Sequence, residues 1–302
     1  MSTPAILAID QGTTGTTCLV VDAEGRIRGR AYSEFTQHFP RPGWVEHDAE
    51  EIWSVTVQMA REALDGTGDV ALQGIGITNQ RETVVLWDRE TLEPVARAIV
   101  WQDRRTTPFC RELVAAGHQD EVRRRSGLVI DPYFSGTKVR WLLDDRPELR
   151  ARAEAGELAA GTIDSWLIAR LTDGAVHATD PTNASRTLLW NLESADWDPW
   201  LLDLFGVPAR LLPEVRPSSG AFGTASGEHL GVELPIAGVA GDQQAALFGQ
   251  GCWTPGLAKN TYGTGAFLLL HTGGTPIPSQ HGLLTTAACD PHGGLAYALE
   301  GS

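Results

Sequence analysis

The sequence predicts an α/β fold in which one complete unit is followed by the start of a second, similar unit. Short apolar segments of strand length alternate with an amphipathic helical pattern in the first third of the chain. A Gly/Thr-rich turn joins two of these segments near the N-terminus, and the same strand–turn–strand order returns late in the chain. With 302 residues, 42% of them hydrophobic, the chain has enough apolar material for one large domain or two.

The first elements form a predicted meander of three strands. Ala5–Ile9 is an aliphatic run typical of a buried strand, and the polar turn Asp10–Gly15 separates it from a second apolar run, Cys18–Val21. Asp22–Gly25 signals another turn. The loosely alternating stretch Ile27–Thr36 completes the meander.

A helix follows the meander. Asp48-Ala-Glu-Glu51 has the spacing of a capping box, in which an N-cap carboxylate is followed three residues later by a glutamate. Apolar residues then recur at helical spacing from Ile52 to Leu64, and Gly66 ends the pattern.

The next elements are less regular. Three strands are predicted over Gly74–Thr78, Thr83–Trp87 and Ala98–Trp101, with the second as a hairpin strand beside the first. Residues 102–215 have a mostly helical pattern punctuated by Pro and Gly. A strand over Ile236–Ala240 and a helix over Gln243–Phe248 complete this part.

The repeated pattern begins with Lys259–Gly265, a Gly/Thr turn that resembles the first one. An apolar strand, Ala266–Leu270, follows it, and Leu283–Ala288 and Leu295–Leu299 continue the meander. We therefore expect a first domain over residues 1–250 and the beginning of a second over 251–302. Two units of similar size would need roughly 500 residues, so we expect a truncated chain.

The net negative charge of the chain argues against some classes of binding partner. The chain has 38 Asp and Glu against 24 Lys and Arg, a net charge of −14. Such a surface repels nucleic-acid phosphates and anionic membranes, so neither is expected as a main partner. The longest apolar run is too short to span a bilayer, and no secretory signal precedes the first strand. We expect a cytoplasmic enzyme or small-molecule binder, with a homo-oligomer left open.

The first turn has the composition of a phosphate-binding loop. Backbone N–H groups in a tight turn built from Gly12, Thr13, Thr14 and Gly15 can converge on a phosphate without obstruction by side chains. Asp10, at the end of the strand, adds a carboxylate where a Mg²⁺–phosphate complex would need one. An ordinary hairpin turn has the same composition and stays an alternative.

Two further clusters follow predicted strands. Arg81 and Glu82 could offer a donor fork and an acceptor to a polyhydroxy ligand, although a solvated surface pair is the alternative. Asp242 follows Gly241 where a strand ends and a helix begins. It could cap that helix or act as a general base, since ligands bind at the carboxyl ends of strands in open α/β sheets.

Eight segments together resemble the FGGY carbohydrate kinase family, most closely its members that act on glycerol. They occur in the family's order along nearly the whole chain: Asp10–Thr14, Gly43–Asp48, Gly76–Glu82, Trp101–Arg105, Gly127–Lys138, Thr179–Ser185, Gly241–Gln244 and Lys259–Gly265. The resemblance implies a ribonuclease-H-like, actin-type ATPase fold, with ATP and substrate in the cleft between two domains.

The resemblance also implies an activity and a set of residues. It implies phosphorylation of glycerol by ATP and Mg²⁺, with Asp242 as the general base. The substrate would be held by Arg81, Glu82, Tyr133, Asp242 and Gln243. The phosphates would be held by Gly12, Thr13, Thr14, Gly15, Thr264 and Gly265, and Asp10 would lie on the Mg²⁺ side.

One departure and three alternatives accompany this interpretation. Many family members have an arginine where this chain has Thr17, and the family's adenosine-binding segments correspond to sequence beyond Ser302. A kinase of another polyol or ketose is one alternative. A non-catalytic glycerol-binding fragment is the second, because the chain lacks most of the second domain and is expected to be inactive alone. An actin-like or chaperone ATPase is the third, but it would not need Arg81, Glu82, Tyr133 and Asp242.

Overall fold

A computed structural model describes residues 2–262 and 266–301 of the chain. Within these residues the strands are β1 Thr3–Gln11, β2 Gly15–Asp22, β3 Ile27–Glu34, β4 Glu46–His47, β5 Val70–Asn79, β6 Val84–Asp88, β7 Ala98–Ile99, β8 Leu158–Thr162, β9 Ala178–Thr179, β10 Trp190–Asn191, β11 Asp196–Trp197, β12 Glu214–Val215, β13 Thr224–Ala225, β14 Leu234–Gly241, β15 Ala258–Tyr262, β16 Ala266–Gly273, β17 Leu284–Cys289 and β18 Leu295–Gly301.

The helices connect and cover these strands. They are α1 Ala49–Asp65, α2 Thr107–Ala115, α3 Gln119–Ser126, α4 Ser135–Asp145, α5 Pro147–Ala155, α6 Ile163–Leu171, α7 Pro181–Ala184, α8 Pro199–Phe205, α9 Gly227–Leu230 and α10 Asp242–Gly249. A short 3₁₀ helix covers Ala209–Leu211. None of the helices in the described part of the chain combines the length and the apolar character that a membrane crossing requires.

A six-stranded sheet forms the centre of the molecule, in the order β13-β14-β5-β1-β2-β3. Strands β1, β2 and β3 pair antiparallel in sequence order, which confirms the predicted meander. Strands β1, β5 and β14 run parallel to one another. Their last residues are in register, because Gln11 pairs with Asn79 and Asn79 pairs with Gly241. The segments that follow these three strands therefore emerge side by side at one edge.

Helix α1 covers one face of this sheet, and its start differs in one respect from the predicted capping box. The Asp48 side chain accepts hydrogen bonds from the backbone N–H groups of Glu50 and Glu51, as expected for an N-cap. The Glu51 carboxylate instead accepts from the backbone N–H and hydroxyl of Thr36, at 3.0 and 2.9 Å. The cap therefore attaches the helix to the end of the preceding meander.

A second, four-stranded sheet has the order β4-β7-β6-β8. The predicted pairing of Thr83–Trp87 with the preceding strand is wrong, because β6 pairs with β7 and β8 and not with β5. The four residues between β5 and β6 turn the chain from one sheet into the other, and these residues include the Arg81–Glu82 pair. The change of sheet thus places this buried pair in the wall of a cleft.

The remaining elements pack around two apolar cores and a third sheet. The predicted helical stretch contains α2 to α8. Helices α2 to α5 and α8 bury a core of their own against the second sheet, with Leu86 and Phe134 fully covered, whereas α6 packs in the core of the central sheet. That stretch also contains β8, whose alanine-rich sequence gave no strand signal. Strands β15, β16, β18 and β17 form an antiparallel sheet.

Candidate active site

A cavity of about 260 Å³ lies where the parallel strands of the central sheet end. It is lined by Thr13, Thr14, Gln37, Gln80, Arg81, Glu82, Trp101, Gln102, Tyr133, Asp242, Gln243, Thr261 and Phe267. The carboxyl ends of parallel strands are the usual place for ligands in open α/β sheets. The structure brings together the first turn, the Arg81–Glu82 pair and Asp242, as the sequence analysis expected.

The first turn is a tight hairpin whose threonines face this cavity. The Gly12 N–H donates to the Gly15 carbonyl at 3.0 Å. A Cβ atom at Gly15 would lie 2.5 Å from the carbonyl oxygen of Ser33, so only glycine fits there. The carbonyl of Thr13 accepts from the Gln37 amide at 3.0 Å, and its hydroxyl accepts from the Trp101 indole at 2.8 Å. Hydrogen bonds to Gln37 and Trp101 thus hold Thr13 in a fixed position beside the cavity.

A buried histidine extends this support. His47 is fully buried, and one of its ring nitrogens lies 2.7 Å from Gln37 Oε1 while the other lies 3.4 Å from Gln80 Nε2. Gln80 also donates to the Gly12 carbonyl at 3.1 Å. Burial, with a smaller contribution from His38, lowers the pKa of His47 to about 4. A neutral ring that donates to Gln37 and accepts from Gln80 satisfies both contacts.

Asp10 lies at the end of β1 beside the same cleft. The carboxylate retains contact with solvent, but the surrounding protein removes much of its hydration and raises its pKa to about 6. The nearby Asp242 carboxylate adds to this rise in pKa. Two acidic groups therefore share a region in which a cation would be stabilised.

A buried quartet of charges forms one wall. Arg81 donates from both terminal nitrogens to Glu300, at 2.6 and 2.8 Å, and Arg186 donates to Glu82 at 2.6 Å. Arg186 also donates to Glu300 at 3.1 Å. All four side chains are at most 2% exposed. The alternative of a solvated Arg81–Glu82 surface pair is therefore wrong.

The electrostatics of the quartet are balanced, with two arginines against two glutamates. Burial alone would raise the pKa of Glu300, but Arg186 and Arg81 outweigh it and lower that pKa to about 2. For Glu82 burial prevails over both arginines and its pKa is raised. Glu82 also has a φ of 63°, the left-handed region that non-glycine residues rarely adopt and that is often found at functional sites.

Tyr133 also lines the cavity, beside Arg186 of the quartet, on a loop fixed by a buried lysine. Lys138 is fully buried and donates to the carbonyls of Pro132, Tyr133 and Phe134, at 2.8, 2.5 and 3.2 Å. Burial lowers the pKa of Lys138 to about 7, while the surrounding carboxylates favour its charged form. The Tyr133 ring packs edge-on against Trp101, with centroids 5.6 Å apart.

Asp242 and Gln243 begin α10, directly after β14. The cap position belongs to Gly241, so Asp242 is not the N-cap of this helix. Its Oδ1 atom lies 3.3 Å from Arg81 Nε, and its side chain is 36% exposed, whereas Arg81 is 2% exposed. Gln243 Nε2 donates to Asp242 Oδ2 at 3.2 Å, and Gln243 Oε1 accepts from the ammonium group of Lys259. Asp242 is therefore accessible and held in a fixed orientation.

The second predicted turn cannot be compared with the first. Thr264 and Gly265 lie outside the described residues. The strands on either side of this turn, β15 and β16, pair antiparallel, and Thr261 and Phe267 reach the cavity.

Several residues of the site were not predicted. They are Arg186, Glu300, Lys138, Lys259 and Trp101. Arg186 directly follows the segment Thr179–Ser185, and Glu300 is the next-to-last residue of β18. These positions could have drawn attention to each residue separately. No sequence pattern, however, shows that two residues so far apart form a pair.

The donor set fits a magnesium ion only in part. Among residues 2–262 and 266–301, no three His, Cys, Asp or Glu side chains lie close enough together to hold a metal ion. Mg²⁺ bound with a nucleotide usually takes one or two carboxylates, with water and phosphate oxygens completing its shell. Asp10, with a pKa raised by burial and by Asp242, offers one such carboxylate.

The comparisons with known proteins agree with this geometry. The sequence profile described as "FGGY family of carbohydrate kinases, N-terminal domain" matches residues 5–249. The chain is 59% identical over 300 residues to the glycerol kinase of Alkalilimnicola ehrlichii, covering 99% of this chain and 61% of that protein. It is 56% identical to the glycerol kinase of Deinococcus radiodurans, covering 98% and 60%. The chain thus spans about 60% of the length of the curated relatives it matches.

Solved structures show the same fold. Plasmodium falciparum glycerol kinase with ADP superposes with a TM-score of 0.95 at 38% identity, covering 100% of this chain and 61% of that one. A gluconate kinase from Lactobacillus acidophilus superposes with a TM-score of 0.87 at 20% identity, covering 99% and 60%, a likeness of fold alone. The expected ribonuclease-H-like, actin-type fold is confirmed.

Proposed function

The chain belongs to the FGGY family of carbohydrate kinases, and we propose that it supplies the substrate site of an enzyme that phosphorylates glycerol with ATP. The observation that carries the proposal is the single cavity in which a Gly/Thr turn, a buried Arg–Glu pair and an accessible aspartate face one another. Its volume of about 260 Å³ lies just below the roughly 300–1,000 Å³ typical of small-molecule pockets, which suits a small polyol.

In the proposed reaction, Asp242 acts as the general base. Its carboxylate accepts the proton of a terminal glycerol hydroxyl while that oxygen forms a bond to the γ-phosphorus of ATP. The bond from this phosphorus to the β,γ-bridging oxygen breaks in line, and ADP leaves. Because the transition state of phosphoryl transfer is loose, a weak base in a fixed position is sufficient. The 3.3 Å contact with Arg81 and the contact with Gln243 supply that fixed position.

The substrate hydroxyls are proposed to meet Arg81, Glu82, Tyr133, Asp242 and Gln243. In the described part of the chain, three hydrogen bonds engage the terminal nitrogens of Arg81 and leave one Nη2 hydrogen for a ligand. Glu82 uses one carboxylate oxygen for Arg186. The Tyr133 ring supplies an apolar surface for the carbon chain of the substrate.

The nucleotide phosphates are proposed to meet Gly12, Thr13, Thr14 and Gly15 on one side and Thr264 and Gly265 on the other. Support comes from the rigid attachment of Thr13 to Gln37 and Trp101. Asp10 would hold Mg²⁺ together with the phosphates, and the ion would neutralise negative charge that develops during transfer. Thr17, in place of the family's usual arginine, is paired with Tyr32 inside the sheet.

We also propose the domain division and the behaviour of the isolated chain. Residues 1–250 would form the first domain and 251–302 the beginning of the second, a division supported by the matched range 5–249 and by the separate sheet from β15 onward. Because the chain spans about 60% of its curated relatives, residues 1–302 alone are proposed to bind glycerol without phosphorylating it.

A chimera tests the proposal. Residues 1–302 replace the matching part of the Alkalilimnicola ehrlichii glycerol kinase, and the chimera, that intact kinase and the 302-residue chain are assayed for ADP release with glycerol, xylulose and gluconate. We expect ADP release by the chimera with glycerol in preference to the other two, and none by the chain alone. A folded chimera that prefers xylulose or gluconate would favour the alternative of another polyol or ketose kinase. Glycerol phosphorylation by the 302-residue chain would contradict its proposed inactivity.

A further inference from the structure

The outer edge of β14 is unprotected by a strand just where it leads into Asp242. On one side β14 pairs with β5 along its length. On the other side β13 pairs with Leu234 and Pro235 at its beginning, and residues 218–223 make irregular backbone contacts, including an isolated bridge between Ser219 and Gly238, that end at Val239. The N–H groups of Val239 and Gly241 point to this outer side, where no strand of the described sheet continues. Buried backbone N–H groups of this kind need other partners.

Two polar groups take the place of the missing strand. The Val239 N–H donates to the carbonyl of Ser218 at 2.8 Å, and the Gly241 N–H donates to the hydroxyl of Thr182 at 2.8 Å. Thr182 is fully buried, so water does not compete for this hydroxyl. The last ladder position of β14, directly before Asp242, therefore depends on one side-chain oxygen.

A single buried carboxylate accepts hydrogen bonds from the side chains of both residues, Ser218 and Thr182. Asp180 is fully buried and accepts from the Ser218 hydroxyl at 2.6 Å and from the Thr182 hydroxyl at 2.7 Å. Because a threonine hydroxyl has one proton, its donation to Asp180 directs the oxygen lone pairs to the Gly241 N–H. Asp180 thus determines which role the Thr182 hydroxyl takes.

The same segment also holds the neighbouring strand end. The side-chain amides of Asn183 and Asn79 exchange two hydrogen bonds, at 3.0 and 3.2 Å, and both residues are fully buried. Asn79 is the last residue of β5, two positions before Arg81. One turn of chain, Asp180–Asn183, therefore contacts the ends of the two strands from which Arg81 and Asp242 emerge.

We propose that Thr182, oriented by Asp180, is a positioning residue that sets the Asp242 carboxylate opposite Arg81. The proposal rests on the proposed function, in which Asp242 and Arg81 contact glycerol. Thr182 itself does not line the cavity, so it acts through the backbone of Gly241. Loss of the hydroxyl leaves the Gly241 N–H without its partner, which allows the end of β14 to shift, whereas both Asp180 oxygens keep other donors.

A pair of variants of the 302-residue chain separates the hydroxyl from the shape of the side chain. Thr182→Val keeps the volume and removes the hydroxyl, whereas Thr182→Ser keeps the hydroxyl and removes the methyl group. Amide hydrogen exchange at Gly241 is measured by mass spectrometry with overlapping peptides, and glycerol binding is measured by titration calorimetry. Amides within β2 serve as the internal control, and thermal melts confirm folding.

For Thr182→Val we expect Gly241 exchange to accelerate and glycerol affinity to fall, each by about tenfold, since a lost buried hydrogen bond corresponds to at least that factor. Thr182→Ser should stay close to the parent chain in both. The proposal fails if Thr182→Val leaves both quantities within about twofold, or if Thr182→Ser behaves like Thr182→Val. If the valine variant does not melt cooperatively, Thr182→Ala replaces it under the same criteria. Absence of glycerol binding by the parent chain would contradict the proposed function. The exchange rate of the Gly241 amide would still show whether the Thr182 hydroxyl holds the end of β14.

Discussion

Asp242 and Arg81 are neighbours with very different access to solvent. The aspartate side chain is 36% exposed to the cavity, whereas the guanidinium is 2% exposed and tied to Glu300. A ligand can therefore reach the carboxylate directly, while Arg81 acts as a fixed part of the wall. This difference fits the proposed roles, in which Asp242 exchanges a proton and Arg81 stays in place.

The first prediction concerns that base. In the chimera, Asp242→Asn should lower kcat by roughly 10²–10⁴, the usual contribution of a general base, because an amide cannot accept the proton. Glycerol binding by the 302-residue chain with the same change should remain, since asparagine keeps the shape of the side chain. Calorimetry and an ADP-release assay measure the two effects. A kcat within a few-fold of the parent chimera would show that Asp242 is not the base.

The second prediction concerns His47. Its pKa of about 4 in the folded protein lies below its ordinary 6.5, so the unfolded chain binds more protons between these two values. The stability that the neutral ring contributes is therefore present above pH 6.5 and is lost as the pH falls towards 4, by about 1.4 kcal/mol per pH unit at most. His47→Gln removes this titration. The difference in free energy of unfolding between parent and variant, from urea curves at pH 7, 6 and 5, should shrink with acidification. A constant difference would contradict a neutral buried His47.

At the scale of elements, the junction of β14 and α10 packs against the arginine with no free space. A Cβ atom at Gly241 would lie 2.7 Å from the Cγ and Cδ atoms of Arg81. Arg81 cannot move away easily, because Glu300 holds both of its terminal nitrogens. The contact therefore links the helix that carries Asp242 to the wall of the cavity.

The third prediction uses this contact. Gly241→Ala should lower the free energy of unfolding by about 1–3 kcal/mol through overpacking, and it should weaken glycerol binding. Gly76→Ala, in the adjacent strand β5, is the matched control because a Cβ atom there meets nothing within 4 Å. Urea unfolding and calorimetry of both variants provide the comparison. Equal effects of the two substitutions would show that the approach to Arg81 is not specific.

Sequence patterns correctly predicted those elements that are determined by neighbouring residues. The meander and α1 follow from alternation, turn residues and the Asp48 cap, and all of these lie within a few residues of one another. The partner of β6 could not be predicted in this way. Its neighbour β8 is more than seventy residues away and is rich in alanine, a residue with low strand preference.

The residues of the candidate site likewise fall into those that local sequence could predict and those that it could not. Arg81, Glu82 and Asp242 stand at strand ends, where a polar residue after an apolar run is visible in the sequence. Their partners Arg186 and Glu300 lie far along the chain, and only the folded structure shows that they neutralise one another. The burial of Arg81 and Glu82 could not be predicted for the same reason. Without Arg186 and Glu300, an Arg–Glu pair would be expected in solvent.

At the scale of the whole molecule, Glu300 connects parts of the chain that belong to different sheets. It is the next-to-last residue of β18, in the antiparallel sheet, and it binds Arg81 beyond β5 and Arg186 beyond α7. Without it, two buried guanidinium groups would face each other with Glu82 as their only acidic partner in the quartet. The antiparallel sheet is thus tied electrostatically to the cavity wall.

The fourth prediction tests this connection. Glu300→Gln should lower the free energy of unfolding by about 3–5 kcal/mol, the usual loss when one member of a buried ion pair is removed. Glu121→Gln is the matched control, because Glu121 is exposed and pairs with Arg124 and Arg125 at the surface, so the change should leave the urea midpoint near that of the parent. Similar shifts in both variants would mean that the buried quartet contributes no more than a surface pair.

The Arg81–Glu300 ion pair also determines when, during synthesis of the chain, this wall of the cavity can form. These residues are 219 positions apart, so at roughly 5–20 residues per second a ribosome needs about 10–45 s to pass from one to the other. Throughout that interval Arg81 has no Glu300 to pair with, and Arg186 has none from the time it is made. Their guanidinium groups are therefore expected to remain hydrated. Ribosome-bound chains halted before and after residue 300 emerges should therefore differ in the protease resistance of the segment around Arg81, with protection appearing only in the longer chain.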